Sequence, residues 1–376
     1  MLFLSRFLLL SLFVFVSAPA FAATIDTKAK QAVIVDFDTG AVLMAKSADE
    51  QMPTSSMSKV MTMYTVFEAI KNGDLKLDSE LRVSEKAWRM GGSKMFVEVN
   101  KKVKVEDLIR GVIIQSGNDA TIVLAEGLAG SEDAFAKMLN NQASLLGMDN
   151  SQFKNASGWP NPEHYSTARD LATLGRALIQ DFPEHYKYYS ETEFAFSDIT
   201  QKNRNPLLYA DIGADGIKTG HTDAAGYGLI GSGKQDGRRV VMVVNGLESA
   251  KDRAEESTRL LEWALKNFEN KTLFENGHVV ANASVVMGKQ ETVAMSASED
   301  VVATIPKFDS ADMKVDITYE KPLIAPIAKG DEVGKLTISI PDQEALTIPL
   351  VAAETVEELG MFGQAVAKFK HFVSGS

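Results

Sequence analysis

The apolar pattern of this chain changes period twice, and that constrains its fold more than any other feature. Ala32-Val-Ile-Val-Asp-Phe37 and Ala41-Val-Leu-Met-Ala45 flank the turn Asp38-Thr39-Gly40 and read as a β-hairpin. After Pro53 the period becomes helical. From Met57 to Asn72 the apolar residues Val60, Met61, Tyr64, Val66, Phe67 and Ile70 predict a largely buried helix, closed by Gly73 in the C-terminal capping position. Helical spacing continues through Val105 to Ile114, Ala120 to Leu128, Glu132 to Leu146 and Thr167 to Ile179. Strands then return: Gly226 to Ser232 and Arg238 to Gly246 flank Gln235-Asp236-Gly237, and an amphipathic helix follows from Ala250 to Phe268. Strands at both ends with helices between them predict an α/β domain built on one mainly antiparallel sheet.

Beyond about residue 275 the pattern shifts to short alternating runs such as Val315-Asp-Ile317-Thr-Tyr319 and Leu336-Thr-Ile338-Ser-Ile340, which predict a small all-β sandwich domain. A length of 376 residues suits such a pair of domains. No catalytic constellation is visible in the second one, so it is expected to support or to recognise.

The N-terminus carries an address. Arg6 precedes the apolar run Phe7 to Val16, and Ala20-Phe21-Ala22 forms a small-x-small cleavage pattern before Ala23. Residues 1–22 therefore read as a secretory signal peptide, too short in its apolar run to span a membrane, which takes roughly 20 residues. The chain lacks cysteine, which rules out disulfides, thiolate metal sites, a cysteine nucleophile and a lipid-modified N-terminus. With 39 basic against 50 acidic residues and a net charge of -11, it has no electrostatic footprint for nucleic acid. No His/Asp/Glu cluster has metal-ligand spacing, so no metal or other cofactor is called for.

Three short motifs carry chemistry. Ser56-Met-Ser-Lys59 puts a hydroxyl and an amine three residues apart at a helix start, within reach of a shared proton. Alone the pair is uninformative, since a chain of this length contains such a spacing by chance. Ser116-Gly-Asn118 follows at the end of a predicted helix, and Lys218-Thr-Gly220 follows where strands resume. A serine hydroxyl is a poor nucleophile until a neighbour takes its proton, and no histidine stands in a nucleophile-elbow motif. Lys59 is left to act as a neutral amine, favoured by burial and by the charge of Lys218. Ser116 suits proton transfer to a leaving amine, and Asn118 offers an amide to a substrate backbone. Lys218 and Thr219 suit a carboxylate, and Gly220 is expected to let an extended peptide approach its strand.

In that order the motifs are the signature of penicillin-binding proteins and serine β-lactamases. Together with His164-Tyr-Ser-Thr-Ala-Arg-Asp170 and Lys218-Thr-Gly-His221, they resemble the low-molecular-weight D-alanyl-D-alanine carboxypeptidases over nearly the whole mature chain. The resemblance implies a catalytic domain of helices around a central sheet over 23–274, a β-sandwich over 275–355 and a membrane-binding terminus over 356–376. It implies bacterial cell-wall (peptidoglycan) peptide stems as substrate, β-lactam antibiotics such as penicillin as covalent inhibitors, an acyl-enzyme on Ser56, and the N–H groups of Ser56 and His221 as oxyanion donors. It also places Arg253 near the carboxylate pocket, although an ordinary surface arginine fits that helix equally. His164 and Asp170 are expected to shape a loop rather than to transfer protons.

Against a β-lactamase of class A, the Glu-x-x-Leu-Asn loop is missing, since Leu139-Asn140 has Ala136 where the glutamate belongs. Transpeptidase or endopeptidase activity shares the acyl-enzyme and stays a rival. A wall-binding scaffold without catalysis would need no nucleophile–base pair. Leu359, Phe362, Val366, Phe369 and Val373 recur at helical steps with Lys368 and Lys370 at the borders, which predicts an interfacial helix over about 356–373 at the outer face of the cytoplasmic membrane.

Overall fold

The computed structural model describes residues 25–307, 313–341, 343–361 and 363–364. The leader expected over 1–22 and the terminal helix beyond 364 lie outside these residues. The hairpin forms as β1 (Gln31–Asp36) and β2 (Val42–Lys46), and β1 continues into a five-stranded antiparallel sheet with β3 (Ala214–Thr222), β4 (Gly226–Gln235) and β5 (Arg238–Leu247). The strand order β2-β1-β5-β4-β3 leaves β3 at an edge. β1 reads as a continuous apolar run because both its faces are covered. Val33 and Val35 join one core with the helices of the middle segment, while Ala32 and Ile34 join another with Leu260, Leu261, Ala264 and Leu265.

The first of those cores holds α1 (Lys59–Lys71), α2 (Val105–Ile113), α3 (Asn118–Ala129), α4 (Glu132–Leu145) and α5 (Ala168–Asp181). α1 is buried nearly all round, with Val60, Met61, Val66 and Phe67 all inaccessible to solvent. A helix enclosed this way fixes the position of whatever precedes it. α5 starts where the Thr167 side chain accepts from the Asp170 N–H, and α6 (Ala250–Asn267) where the Ser249 side chain accepts from the Asp252 N–H.

Two expected boundaries move. Phe268–Phe274 was assigned to the catalytic domain, but this strand, β6, pairs with Val301–Pro306 of the second domain, so the change of domain falls at the end of α6 rather than at 275. At the other end, Val356 is buried and exchanges backbone hydrogen bonds with Ile327 at 2.8 and 3.0 Å, and the Leu359 N–H donates to the Met287 carbonyl at 2.8 Å. Residues 356–359 are therefore stitched to the β domain and do not begin a helix. The second domain itself is strand-rich, a six-stranded sheet and the two-stranded ladder around one core that includes Met295, Leu336 and Leu350.

Candidate active site

Three elements converge on Ser56. It lies in a 3-10 turn, Ser55–Ser58, that runs straight into α1, so the hydroxyl is carried on a buried, immobile base. Lys59 follows as the first residue of α1 and is inaccessible to solvent. Its Nζ donates at 2.7 Å to Ser56 Oγ, at 2.7 Å to Asn118 Oδ1 and at 2.7 Å to the Ser157 carbonyl. Three acceptors saturate an ammonium, and a neutral amine could keep two of them as donor while accepting the serine proton. Burial, above all, lowers the Lys59 pKa to about 7, with Arg204 pushing the same way and Asp119 opposing.

Ser116 sits in the short link between α2 and α3 with φ of 58°. This left-handed residue turns the chain so that Ser116 Oγ faces β3, where Lys218 Nζ donates to it at 3.0 Å. Lys218 is also buried, and its pKa falls well below the ordinary lysine range, first by desolvation and then through repulsion from Lys59, Arg204 and Arg253. The repulsion expected between the two lysines is thus present, and Arg204 bears on both of them. Arg204 donates to Ser93 Oγ at 2.6 Å. No motif marks it.

Two of the expected site residues also hold the site together. Asn118 accepts from Lys59 through Oδ1 and donates through Nδ2 to the Gly91 carbonyl at 2.9 Å, so its first task is to hold the lysine. Gly220 is expected to admit a substrate peptide. A β-carbon there would stand 2.2 Å from Ser55 Oγ and 3.0 Å from the Thr54 carbonyl, so the missing side chain also lets β3 pack against the turn that carries Ser56. Gly158 does the same from the other side: its φ is 76°, and a β-carbon would come within 1.8 Å of the Ser55 carbonyl.

The remaining residues frame the cleft. Thr219 is buried beside Lys218, and the Arg253 Nη1 reaches the Gly220 carbonyl at 3.4 Å, which turns this arginine toward the site rather than to solvent. His221 is exposed and lies 3.9 Å, ring to ring, from Tyr227. His164 accepts the Lys154 N–H on Nδ1 and therefore donates from Nε2 to Ser58 Oγ, 2.8 Å away. Burial and the nearby Lys59 lower its pKa to about 4, so it braces the turn as a neutral ring. Asp170 braces the same loop by accepting from the Asn150 N–H and Ser151 hydroxyl. The buried Asp119 accepts from the N–H groups of Met95, Phe96, Val97 and Ala120 at 2.9 to 3.2 Å, which fixes the loop opposite β3.

The chain matches two family models, "D-alanyl-D-alanine carboxypeptidase" over residues 16–249 and "Penicillin-binding protein 5, C-terminal domain" over residues 268–358. It is 39% identical over 368 residues to the D-alanyl-D-alanine carboxypeptidase DacC of Escherichia coli K12, covering 94% of this chain and 92% of that one. Among solved structures, penicillin-binding protein 5 from Haemophilus influenzae is similar with a TM-score of 0.80 and 37% identity, over 90% of this chain and all of that one. Penicillin-binding protein D2 from Listeria monocytogenes in its ampicillin-bound form is similar over 65% of this chain and 99% of that one, at 32% identity and a TM-score of 0.60.

Proposed function

Because the chain belongs to the D-alanyl-D-alanine carboxypeptidase family of penicillin-binding serine hydrolases, we propose that it removes the terminal D-alanine from bacterial wall peptide stems through an acyl-enzyme on Ser56. The observation that carries this is the buried Lys59 amine 2.7 Å from Ser56 Oγ. With its pKa near 7 the lysine is substantially neutral at physiological pH and can take the serine proton.

Ser56 Oγ attacks the carbonyl carbon of the penultimate D-alanine as its proton moves to Lys59 Nζ. The oxyanion is met by the N–H groups of Ser56 and His221. The C–N bond then breaks, the terminal D-alanine amine receives a proton relayed through Ser116 Oγ, and Ser56 keeps the acyl group as an ester. Water hydrolyses that ester with Lys59 again as base. Lys218, Thr219 and Arg253 hold the leaving carboxylate, in a pocket whose like charges are relieved when an anion enters. Asn118 orients Lys59 and keeps one amide hydrogen for the substrate. β-Lactams enter the same path because their strained amide and carboxylate imitate the D-alanyl-D-alanine end.

The same reading sets the mature chain outside the cytoplasm, held at the outer face of the cytoplasmic membrane by its tail. The 1–22 leader and the apolar stripe beyond Met361 support it. Among the described residues no helix is long and apolar enough to cross a membrane. Removal of residues 361–376 should free the enzyme from washed membranes, and a full-length protein that fractionates as soluble would refute the anchor. The carboxypeptidase itself is tested by incubating the mature protein with a pentapeptide ending in D-alanyl-D-alanine and with its C-terminal amide. Release of one D-alanine from the acid and little from the amide supports the assignment. Efficient cleavage of the amide overturns the carboxylate pocket.

A further inference from the structure

Ser56, Lys59 and Thr62 recur at intervals of three, which lines them up on one face at the head of α1. Thr62 is inaccessible to solvent, and a hydroxyl so enclosed needs a partner. It finds one in the loop between α4 and α5, where Thr62 Oγ1 donates to the Ala156 carbonyl at 2.6 Å. The Ala156 N–H donates in turn to Glu132 Oε1 at 3.1 Å, and the other carboxylate oxygen of Glu132 pairs with Lys86 at 2.8 Å. The Ser157 N–H donates to Asn155 Oδ1 at 3.2 Å, and beyond it Gly158 packs against the Ser55 carbonyl. Between these fixed points lies the Ser157 carbonyl, which accepts from Lys59 Nζ at 2.7 Å.

The place of that carbonyl decides where a neutral Lys59 points its lone pair. A neutral amine has two hydrogens and one lone pair, and its three partners are Asn118 Oδ1, the Ser157 carbonyl and Ser56 Oγ. The first two can only accept, so each takes a hydrogen, and the lone pair is left facing the one partner that can donate, the Ser56 hydroxyl. With the carbonyl displaced, a hydrogen is free to turn to Ser56 Oγ and the lone pair faces away from the proton it must take.

We propose, resting on the acyl-enzyme reading with Lys59 as base, that Thr62 is a positioning residue for the proton transfer: through the Ala156 carbonyl it sets the Ser157 carbonyl, and with it the direction of the Lys59 lone pair. Glu132 steadies the same loop at the Ala156 N–H. A well-placed carbonyl also favours the ammonium form, because an acceptor bonds a charged donor more strongly than a neutral one. Losing its placement therefore weakens the hold of Lys59 on a proton. The other groups that bear on Lys59 are Asp119 of α3, Arg204, Lys218 of β3 and the neutral His164, and none of them bonds to Thr62.

The test follows acylation of the full mature protein by penicillin from pH 5 to 9, with melting temperatures alongside. Thr62→Val keeps the shape and removes the donor. Its plateau rate should fall by about tenfold or more, and its acid limb should move by about half a pH unit to lower pH. Thr62→Ser should recover most of both. Glu132→Ala should show the same pair of changes more weakly, and Glu132→Gln, which keeps an acceptor for the Ala156 N–H, should recover them; this second pair carries the test if Thr62→Val does not fold. A native rate and profile in the variants, or a lowered plateau with an unmoved acid limb, would overturn the positioning role and leave Lys59 as the base. A native protein that penicillin does not acylate would overturn the acyl-enzyme reading itself.

Discussion

Replacing Lys59 by methionine should flatten the alkaline rise in the protein's stability. The ordinary lysine value is 10.5, and burial brings Lys59 to about 7 in the folded chain. Between those limits unfolding takes up a proton, so each falling pH unit destabilises the folded state by about 1.4 kcal/mol. The sign is fixed by the direction of the shift. The folded state is unpenalised above 10.5, loses stability as pH falls toward 7, and loses no more below it. From pH 7 to 9 the native protein should gain roughly 2 kcal/mol that the methionine variant lacks, after allowing for half-titration at pH 7. The absolute stabilities are less informative, because methionine removes a buried amine but strands Asn118 Oδ1 and the Ser157 carbonyl. The assay is urea unfolding of both proteins at pH 7, 8 and 9, followed through the catalytic-domain tryptophans. Parallel profiles would mean that Lys59 stays protonated in the folded chain, and the proposed base would be lost.

Three further outcomes follow from the same contacts. Gly220→Ala should lower kcat/KM by at least about 100-fold, because the new methyl must displace Ser55 and with it the nucleophile; an unimpaired enzyme would show that this strand–turn contact is loose. Ser116→Gly, which suits a φ of 58°, should reduce kcat by about 100-fold or more at an unchanged melting temperature, and unchanged turnover would remove Ser116 from the proton path. Asp119→Ala should destabilise the catalytic domain by about 3 kcal/mol or more in denaturant titration, since four N–H groups lose a buried carboxylate, and a loss below about 1 kcal/mol would refute its bracing role.

Local signals made much of this architecture legible. The Asp38-Thr39-Gly40 turn, the helix after Pro53 and the Gln235-Asp236-Gly237 turn are short-range features, and their elements appear within a few residues of expectation. Motif order points to Ser56, Lys59, Ser116 and Lys218, and the fold joins Lys59 to Ser56 at 2.7 Å and Lys218 to Ser116 at 3.0 Å. What stayed hidden depends on contacts between distant segments. Arg204 acts on Lys59 through space from a loop without pattern. The reason for Gly220 lies in Ser55, more than 160 residues away, and no periodicity carries that. The change at 268 is not legible in the sequence because β6 follows α6 without a turn, so only its pairing with Val301–Pro306 shows where the strand belongs. That Asn118 also holds Lys59 is not legible, because the string around it names a residue type and leaves its orientation open.

The central claim is that Ser56 becomes acylated with Lys59 as its base, and intact-protein mass after brief exposure to penicillin tests it most directly. The native protein should gain the mass of one drug molecule, placed by peptide mapping on the segment holding Ser56, and Ser56→Ala should gain nothing. An adduct on the alanine variant, or one mapped to any other residue of the native protein, would contradict the account.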